Sequence, residues 1–248
     1  MSDKITKIYF SPTGNTKKSV DAMASSIGSV FQDYDITSEA ETTQCVLTTD
    51  DFAIIGAPVY GGRIAKAATA RLSLFKGNKT PCIVVVTYGN RHYDDALLEL
   101  ADMAEAQGFV IKGAAALVGR HTYGNIQTNR PDLNDLDADK KFAHEAKENK
   151  NRNIQISGNR SYKDGGNGGS FRPLTSEACV SCGLCAESCP MQAIAADFRA
   201  INDNCISCFR CIRNCPVKAK NMDTEAYLSF AASFSEKLKN RRENEYFL

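Results

Sequence analysis

The sequence predicts an α/β protein in which a doubly wound, five-stranded parallel sheet is followed by a small α+β module held together by cysteines. Three observations predict it. Short β-branched apolar runs alternate with amphipathic helical patterns through the first part of the chain, the composition then turns polar and glycine-rich, and eight of the ten cysteines fall between Cys179 and Cys215. At 248 residues the chain is long enough for one large or two modest domains. Its 43% apolar and 24% charged content is that of an ordinary globular protein with a real core. The division that follows is 1–150 for the sheet domain, 151–172 for a connector, 173–222 for the cysteine module and 223–248 for a C-terminal helix and tail.

Each element has its own signal. KITKIYF, Lys4 to Phe10, is a strand that runs into SPTGNTKKS and then an amphipathic helix through Met23 and Ile27. Further strands are expected at Gln32–Thr37, Phe52–Pro58, Pro81–Tyr88 and Phe109–Val118, with helices around Ala65–Phe75 and Asp94–Gln107. A helix near Leu136–Glu148, with Phe142 and Ala146 inward, completes the covering layer. Buried strands alternating with helices make a parallel sheet covered on both faces, and ligands of such sheets bind beyond the carboxyl ends of the strands. Residues Asn149 to Ser170 hold five glycines and read as a flexible connector, with a typical end separation of roughly 25 Å. Asp223–Phe234 reads as a capped helix with Tyr227, Phe230, Ala231, Phe234 and Leu238 on one face. The tail RRENEYFL receives no role.

Charge and hydropathy exclude several classes. Thirty Lys and Arg against 29 Asp and Glu leave +1, so neither nucleic acid nor a membrane surface is an expected partner. The longest apolar stretches, Asp51–Tyr60 and Cys82–Tyr88, fall well short of the roughly 20 residues of a membrane helix. Lys4 and Lys7 interrupt the place where an export signal would be apolar, so a cytoplasmic location is expected.

The cysteines form two runs, Cys179, Cys182, Cys185, Cys189, Pro190 and Cys205, Cys208, Cys211, Cys215, Pro216, both CxxCxxCxxxCP and offset by 26 residues. Structural zinc would use two CxxC pairs, or Cys with His, and leave the third cysteines surplus. Three thiolates two residues apart instead wrap a cube of iron and sulfide, with a fourth ligand from elsewhere. The segment resembles the two-cluster bacterial ferredoxins, and that resemblance implies a crossed pair of 4Fe-4S clusters: one on Cys179, Cys182, Cys185 and Cys215, the other on Cys205, Cys208, Cys211 and Cys189. So short a segment has too little apolar core of its own, and the clusters are expected to supply its folding energy. The second run is the basic one, with Arg210, Arg213, Lys218 and Lys220 against Glu177 and Glu187 around the first. Nearby cations favour a reduced cluster, so a downhill step toward the second-run cluster is expected.

The loop Ser11 to Thr16 combines hydroxyls, Gly14 and a helix N-terminus, an arrangement that suits one phosphomonoester or, taken alone, an ordinary turn and cap. With it, the first 120 or so residues resemble flavodoxin, whose phosphate loop reads SxTGNT as here. The resemblance implies FMN, with Ser11, Thr13, Gly14, Asn15 and Thr16 at its phosphate. The ring would lie between two later loops, Pro58, Val59, Tyr60, Gly61, Gly62, Arg63 and Thr87, Tyr88, Gly89, Asn90, Arg91. Tyr60 and Gly61 would sit beside the ring and Tyr88, Gly89 and Asn90 around its far edge, with Tyr93 a lesser candidate for stacking. Arg63 and Arg91 depart from the acidic flavin surroundings of carrier flavodoxins and would ease two-electron reduction. His92, His121 and His144 show no partner pattern, although His121 follows the last strand. Cys82 reads as a small buried hydrophobe and Cys45 as an unremarkable thiol.

Nearly the whole chain resembles the flavodoxin and ferredoxin fusion proteins of anaerobic prokaryotes. That implies an electron carrier between two 4Fe-4S clusters, FMN and transient redox partner proteins, with no catalytic residue required. The alternative is an FMN-dependent oxidoreductase that reduces a quinone or nitro compound and uses the clusters as a wire. A homodimer is left open.

Overall fold

The computed structural model describes residues 4–38, 44–151 and 153–248; positions 1–3, 39–43 and 152, which fall within the expected sheet domain and connector, lie outside the described residues. In chain order the first part contains β1 (Lys4–Tyr9), α1 (Asn15–Ile27), β2 (Ser29–Asp35), β3 (Cys45–Leu47), β4 (Asp51–Tyr60), β5 (Arg63–Ile64) and α2 (Lys66–Leu72). It continues through β6 (Phe75–Gly77), β7 (Thr80–Tyr88), α3 (Ala96–Ala106), β8 (Phe109–Val118) and α4 (Leu133–Glu148). The second part contains β9 (Leu174–Thr175), α5 (Leu184–Glu187), α6 (Arg210–Arg213), β10 (Lys220–Asn221), α7 (Glu225–Lys237) and β11 (Glu245–Phe247).

Five parallel strands stand in the order β2-β1-β4-β7-β8. Numbered among themselves they run 2-1-3-4-5, the flavodoxin-type doubly wound order, which reverses direction between the first and third parallel strands. The apolar runs are continuous because both faces are covered. Ile54, Ile83, Val85 and Leu117 belong to the cluster with Met23 of α1 and Phe142 of α4. Their neighbours Ile55, Val84, Val86 and Ala116 belong to the opposite cluster with Leu72 of α2 and Leu97 of α3. Alternate residues thus feed alternate faces. A capping box joins Asp132 and Asp135 at the start of α4, placing Phe142 and Ala146 inward as the sequence indicates.

The cysteine module is two halves of one design. Helix α6 repeats α5, and the β9–β10 pairing Lys220↔Thr175 repeats the bridge Ile194↔Ile201, each at the 26-residue offset of the cysteines. Left-handed backbone recurs at Ser181 and Ser207, both with φ of 54°. The module is fixed to the sheet domain. Arg210 Nη1 donates to the Pro12 carbonyl at 2.8 Å, Arg213 Nη2 to that of His121 at 3.2 Å, and Arg71 Nη2 to that of Pro190 at 2.6 Å.

Two segments depart from the sequence reading. Composition makes residues 151–172 a flexible connector, yet the amides of Asn159 and Lys163 donate to the Asp95 carboxylate at 2.9 and 2.8 Å, and the Gly166 amide donates to Tyr60 O at 2.8 Å. The tail is not idle either. Its β11 pairs antiparallel with β8 and adds a sixth strand to the row. Tyr93 Oη donates to Glu245 at 2.7 Å and Tyr246 Oη to Asp139 at 2.8 Å. Among the described residues no helix is long and apolar enough to cross a membrane.

Candidate functional site

The loops after β1, β4 and β7 converge at the carboxyl edge of the sheet on a cavity of about 290 Å³. Of the residues expected there, Ser11, Thr13, Asn15, Thr16, Pro58, Val59, Tyr60, Gly61, Thr87, Tyr88 and Gly89 line it. Local bonds hold the first loop in shape. Ser11 Oγ accepts from the Lys17 amide at 3.0 Å, Asn15 Nδ2 donates to Arg120 O at 2.8 Å, and the buried hydroxyls of Thr16 and Thr87 meet at 2.7 Å. The helix that follows has first-turn amides without helical partners. Together with the Thr13 hydroxyl they make one end of the cavity suited to a phosphate.

Four expected residues lie outside this lining. Gly14 supplies the left-handed turn (φ 86°) that opens α1. Gly62 O accepts from the Asp95 amide, which turns that residue toward the start of α3. Asn90 is 2% exposed; its Nδ2 donates to Leu238 O and Asn240 O and its Oδ1 accepts from the Arg242 amide, so it staples the tail. Tyr93 is buried in the core behind Tyr88, with ring centroids 5.6 Å apart, and cannot stack on anything in the cavity. Arg63 is also removed, because its guanidinium is held by Glu99 in a two-pronged pair at 2.7 and 2.6 Å. Arg91 does line the cavity, paired with Asp94.

The opposite wall comes from residues that the sequence does not tie to this cavity. His121, Tyr123, Gly168, Ile206, Phe230 and Phe234 close the space. Tyr123 packs edge-on or tilted against Phe171, Phe209, Tyr227 and Phe230, and Phe234 meets His121 at 5.1 Å. The stripe on α7 therefore packs against both modules. Burial, reinforced by Arg213 and Arg91, pushes His121 down to about 4. Its Nδ1 accepts from the Tyr123 amide at 2.8 Å, so the neutral ring carries its proton on Nε2. The position of His121 just after the last strand is the one sequence feature that pointed to this wall.

The eight thiols of the two runs line two further spaces. Cys179, Cys182, Cys185 and Cys215 line the first. Cys189, Cys205, Cys208 and Cys211 line the second. Among the described residues no three Cys, His, Asp or Glu side chains converge on a single-ion site; each set of four surrounds a volume instead. Burial, then the neighbouring thiols including Cys189, pushes Cys208 up to about 11 and Cys211 to about 12, so bare thiols here stay protonated until a metal replaces the proton. The Ala193 and Ala219 amides donate to Cys189 Sγ and Cys215 Sγ at 3.4 and 3.1 Å, again at equivalent places. Each space also has a buried cationic N–H without a hydrogen-bond partner: Lys220 Nζ at the first and Arg210 Nε at the second. Unpaired buried cations are costly, and an anionic cluster in each space would satisfy them. The donor set therefore fits 4Fe-4S clusters.

The second space touches the large cavity. Ile206, between Cys205 and Cys208, lines both, and Tyr60 feels Cys208 and Cys205 directly through the field that, after burial, holds its phenol well above the ordinary value. The basic residues of the second run are shared out: Arg210 lines the second space, and it and Arg213 act on Cys208, while Lys220 lies at the first. Arg213 reaches His121, Arg210 bridges to the phosphate loop, and Lys220 lines the first space, because β10 folds back onto β9.

Residues 174–195 match the 4Fe-4S binding domain family, a span that contains the first cysteine run. A comparison with curated proteins found no match. Among solved structures, a flavodoxin from the domain Archaea is 14% identical over 58% of this chain and 96% of that one, with a TM-score of 0.39. Streptococcus pneumonia TIGR4 flavodoxin is 17% identical over 58% and 97%, with a TM-score of 0.41. Rubredoxin oxygen:oxidoreductase from the anaerobe Desulfovibrio gigas is 17% identical over 59% of this chain and 36% of that one, with a TM-score of 0.42.

Proposed function

We propose that this chain is a flavo-iron-sulfur electron-transfer protein that passes electrons between two 4Fe-4S clusters, FMN and transient redox partner proteins. The observation that carries the reading is the shared wall at Ile206, which sets the second cysteine space beside the cavity built by the flavodoxin-type loops. Cys179, Cys182, Cys185 and Cys215 are the ligands proposed for one cluster and Cys189, Cys205, Cys208 and Cys211 for the other. Ser11, Thr13 and the first-turn amides of α1 are proposed to hold the FMN phosphate, with Tyr60, Gly61, Tyr88 and Gly89 along the ring. When bound, these groups supply one-electron exchange at the clusters and one- or two-electron exchange at the flavin. Their surroundings favour a fixed route. The aromatic side chains of Tyr123, Phe230 and Phe234 line the cavity beside the junction, and Arg210 and Arg71 hold the cysteine module to the sheet domain.

Protein prepared without oxygen is expected to contain about eight irons, about eight sulfides and one FMN per chain. Colourless protein, or zinc at the thiols, refutes the reading. The cavity opens to solvent beside the ring loops, which favours one second reading, reduction of a quinone or nitro compound over the flavin ring. Saturable turnover of such an acceptor by fully loaded protein would select it over a pure carrier.

A further inference from the structure

The 26-residue repeat makes the two cysteine spaces comparable position by position, and one difference between them is a charge. The place held by Ile194 in the second space is held by Lys220 in the first. The equivalence is structural as well as numerical: Ile194 bridges to Ile201, and Lys220 pairs with Thr175 at the same offset. Lys220 is 2% exposed, and its Nζ is buried without a hydrogen-bond partner. A lysine stem this long ordinarily carries its ammonium to water. Here the pairing of β10 with β9 holds the stem inside, against the space ringed by Cys179, Cys182, Cys185 and Cys215. The charge at the second space differs in kind. Arg210 already donates to Pro12 O of the sheet domain, so part of its guanidinium serves the contact between modules.

We propose that Lys220 is a built-in counter-charge for the cluster of the first space, holding that cluster at a higher reduction potential than an apolar residue at the same place would. This rests on the electron-transfer reading above. The step it favours is simple: one electron enters the cluster, its negative charge rises by one, and no bond or proton changes place. A fixed ammonium stabilises the more negative state more strongly in a water-poor site than at the surface. At the second space the equivalent place is the apolar Ile194, and the buried cation there is Arg210, at the place held by Leu184 in the first.

The test is a dithionite redox titration of full-length, anaerobically prepared protein, followed by electron paramagnetic resonance, on wild type, K220M and K220R. K220M is expected to reduce the ratio of reduced to oxidised cluster at a fixed potential at least tenfold for one cluster, a fall of about 59 mV for one electron. The other cluster changes by less than threefold, and K220R stays within threefold of wild type at both. Loss of iron from K220M while K220R keeps it supports the proposal, since the positive charge is kept in one variant and removed in the other. K220M with both ratios within threefold of wild type overturns it, as does equal loss of iron from both variants. Wild-type protein without cluster iron refutes the functional reading instead, so the two failures are told apart before any variant is titrated.

Discussion

Replacing Asp139 by asparagine changes one buried charge and leaves the shape of its surroundings intact. Asp139 lies on α4 with no solvent exposure. Its Oδ1 accepts from Tyr246 Oη at 2.8 Å, while Oδ2 is buried without a partner. Burial, helped by the nearby Asp135 and opposed by hydrogen bonding and by Arg130, lifts its carboxyl from the ordinary 3.8 to about 6. The native state therefore binds the proton more tightly than the unfolded chain between those values. Stability is full below about pH 4 and falls as pH rises through 6. A carboxyl raised from 3.8 to about 6 carries a penalty of about 3 kcal/mol at neutral pH, at about 1.36 kcal/mol for each tenfold in proton affinity. D139N keeps an acceptor for Tyr246 and removes the charge. It is expected to gain about 2 to 3 kcal/mol at pH 7.5, or about 5 to 10 °C in Tm for a chain of this size, and almost nothing at pH 4. The assay is thermal unfolding by far-ultraviolet circular dichroism between pH 4 and 8. A variant no more stable than wild type at pH 7.5, or equally stabilised at both ends of the range, refutes the reasoning.

S11A removes the acceptor that caps the Lys17 amide; a cap of this kind contributes about 1 kcal/mol, and FMN affinity, read by quenching of flavin fluorescence, is expected to weaken about fivefold to tenfold. R71M withdraws a buried guanidinium from the carbonyls of Ile36, Thr37 and Pro190. At about 1.5 to 3 kcal/mol for a charged hydrogen bond, with the losses less than additive, unfolding should ease by about 3 to 4 kcal/mol, and iron should be lost faster to a chelator. Removal of iron itself is expected to abolish amide protection across 173–222 while strands β1, β4 and β7 stay protected, which hydrogen exchange followed by mass spectrometry would show.

Local chemistry was the legible part. The five core strands are readable because β-branched apolar residues in unbroken runs occur where both faces of a sheet are buried, and the cysteine spacing names its chemistry because few other sites use three thiols two residues apart. What escaped the sequence is pairing between distant segments. Glu245 to Phe247 is an ordinary three-residue run until β8 lies beside it, and Asn90, in the right loop, is spent on the tail carbonyls. Lys220 sits beside the second run in sequence and beside the first set of thiols in space. Glycine misled for a definite reason. A Cβ on Gly168 would lie 2.2 Å from Ile206 O, and one on Gly169 would lie 2.0 Å from Tyr123 Oη. Glycines that permit close approach look, in composition alone, like glycines that permit motion.

The edge strand β11 has a consequence for biosynthesis. It leaves the ribosome after both cysteine runs, so the nascent sheet must wait, with the β8 edge unpaired. Only when the last strand docks is the layered half closed, and its closing partners, Asn90 and Asp139, then report on a chain translated through to the far side of its iron-binding stretch.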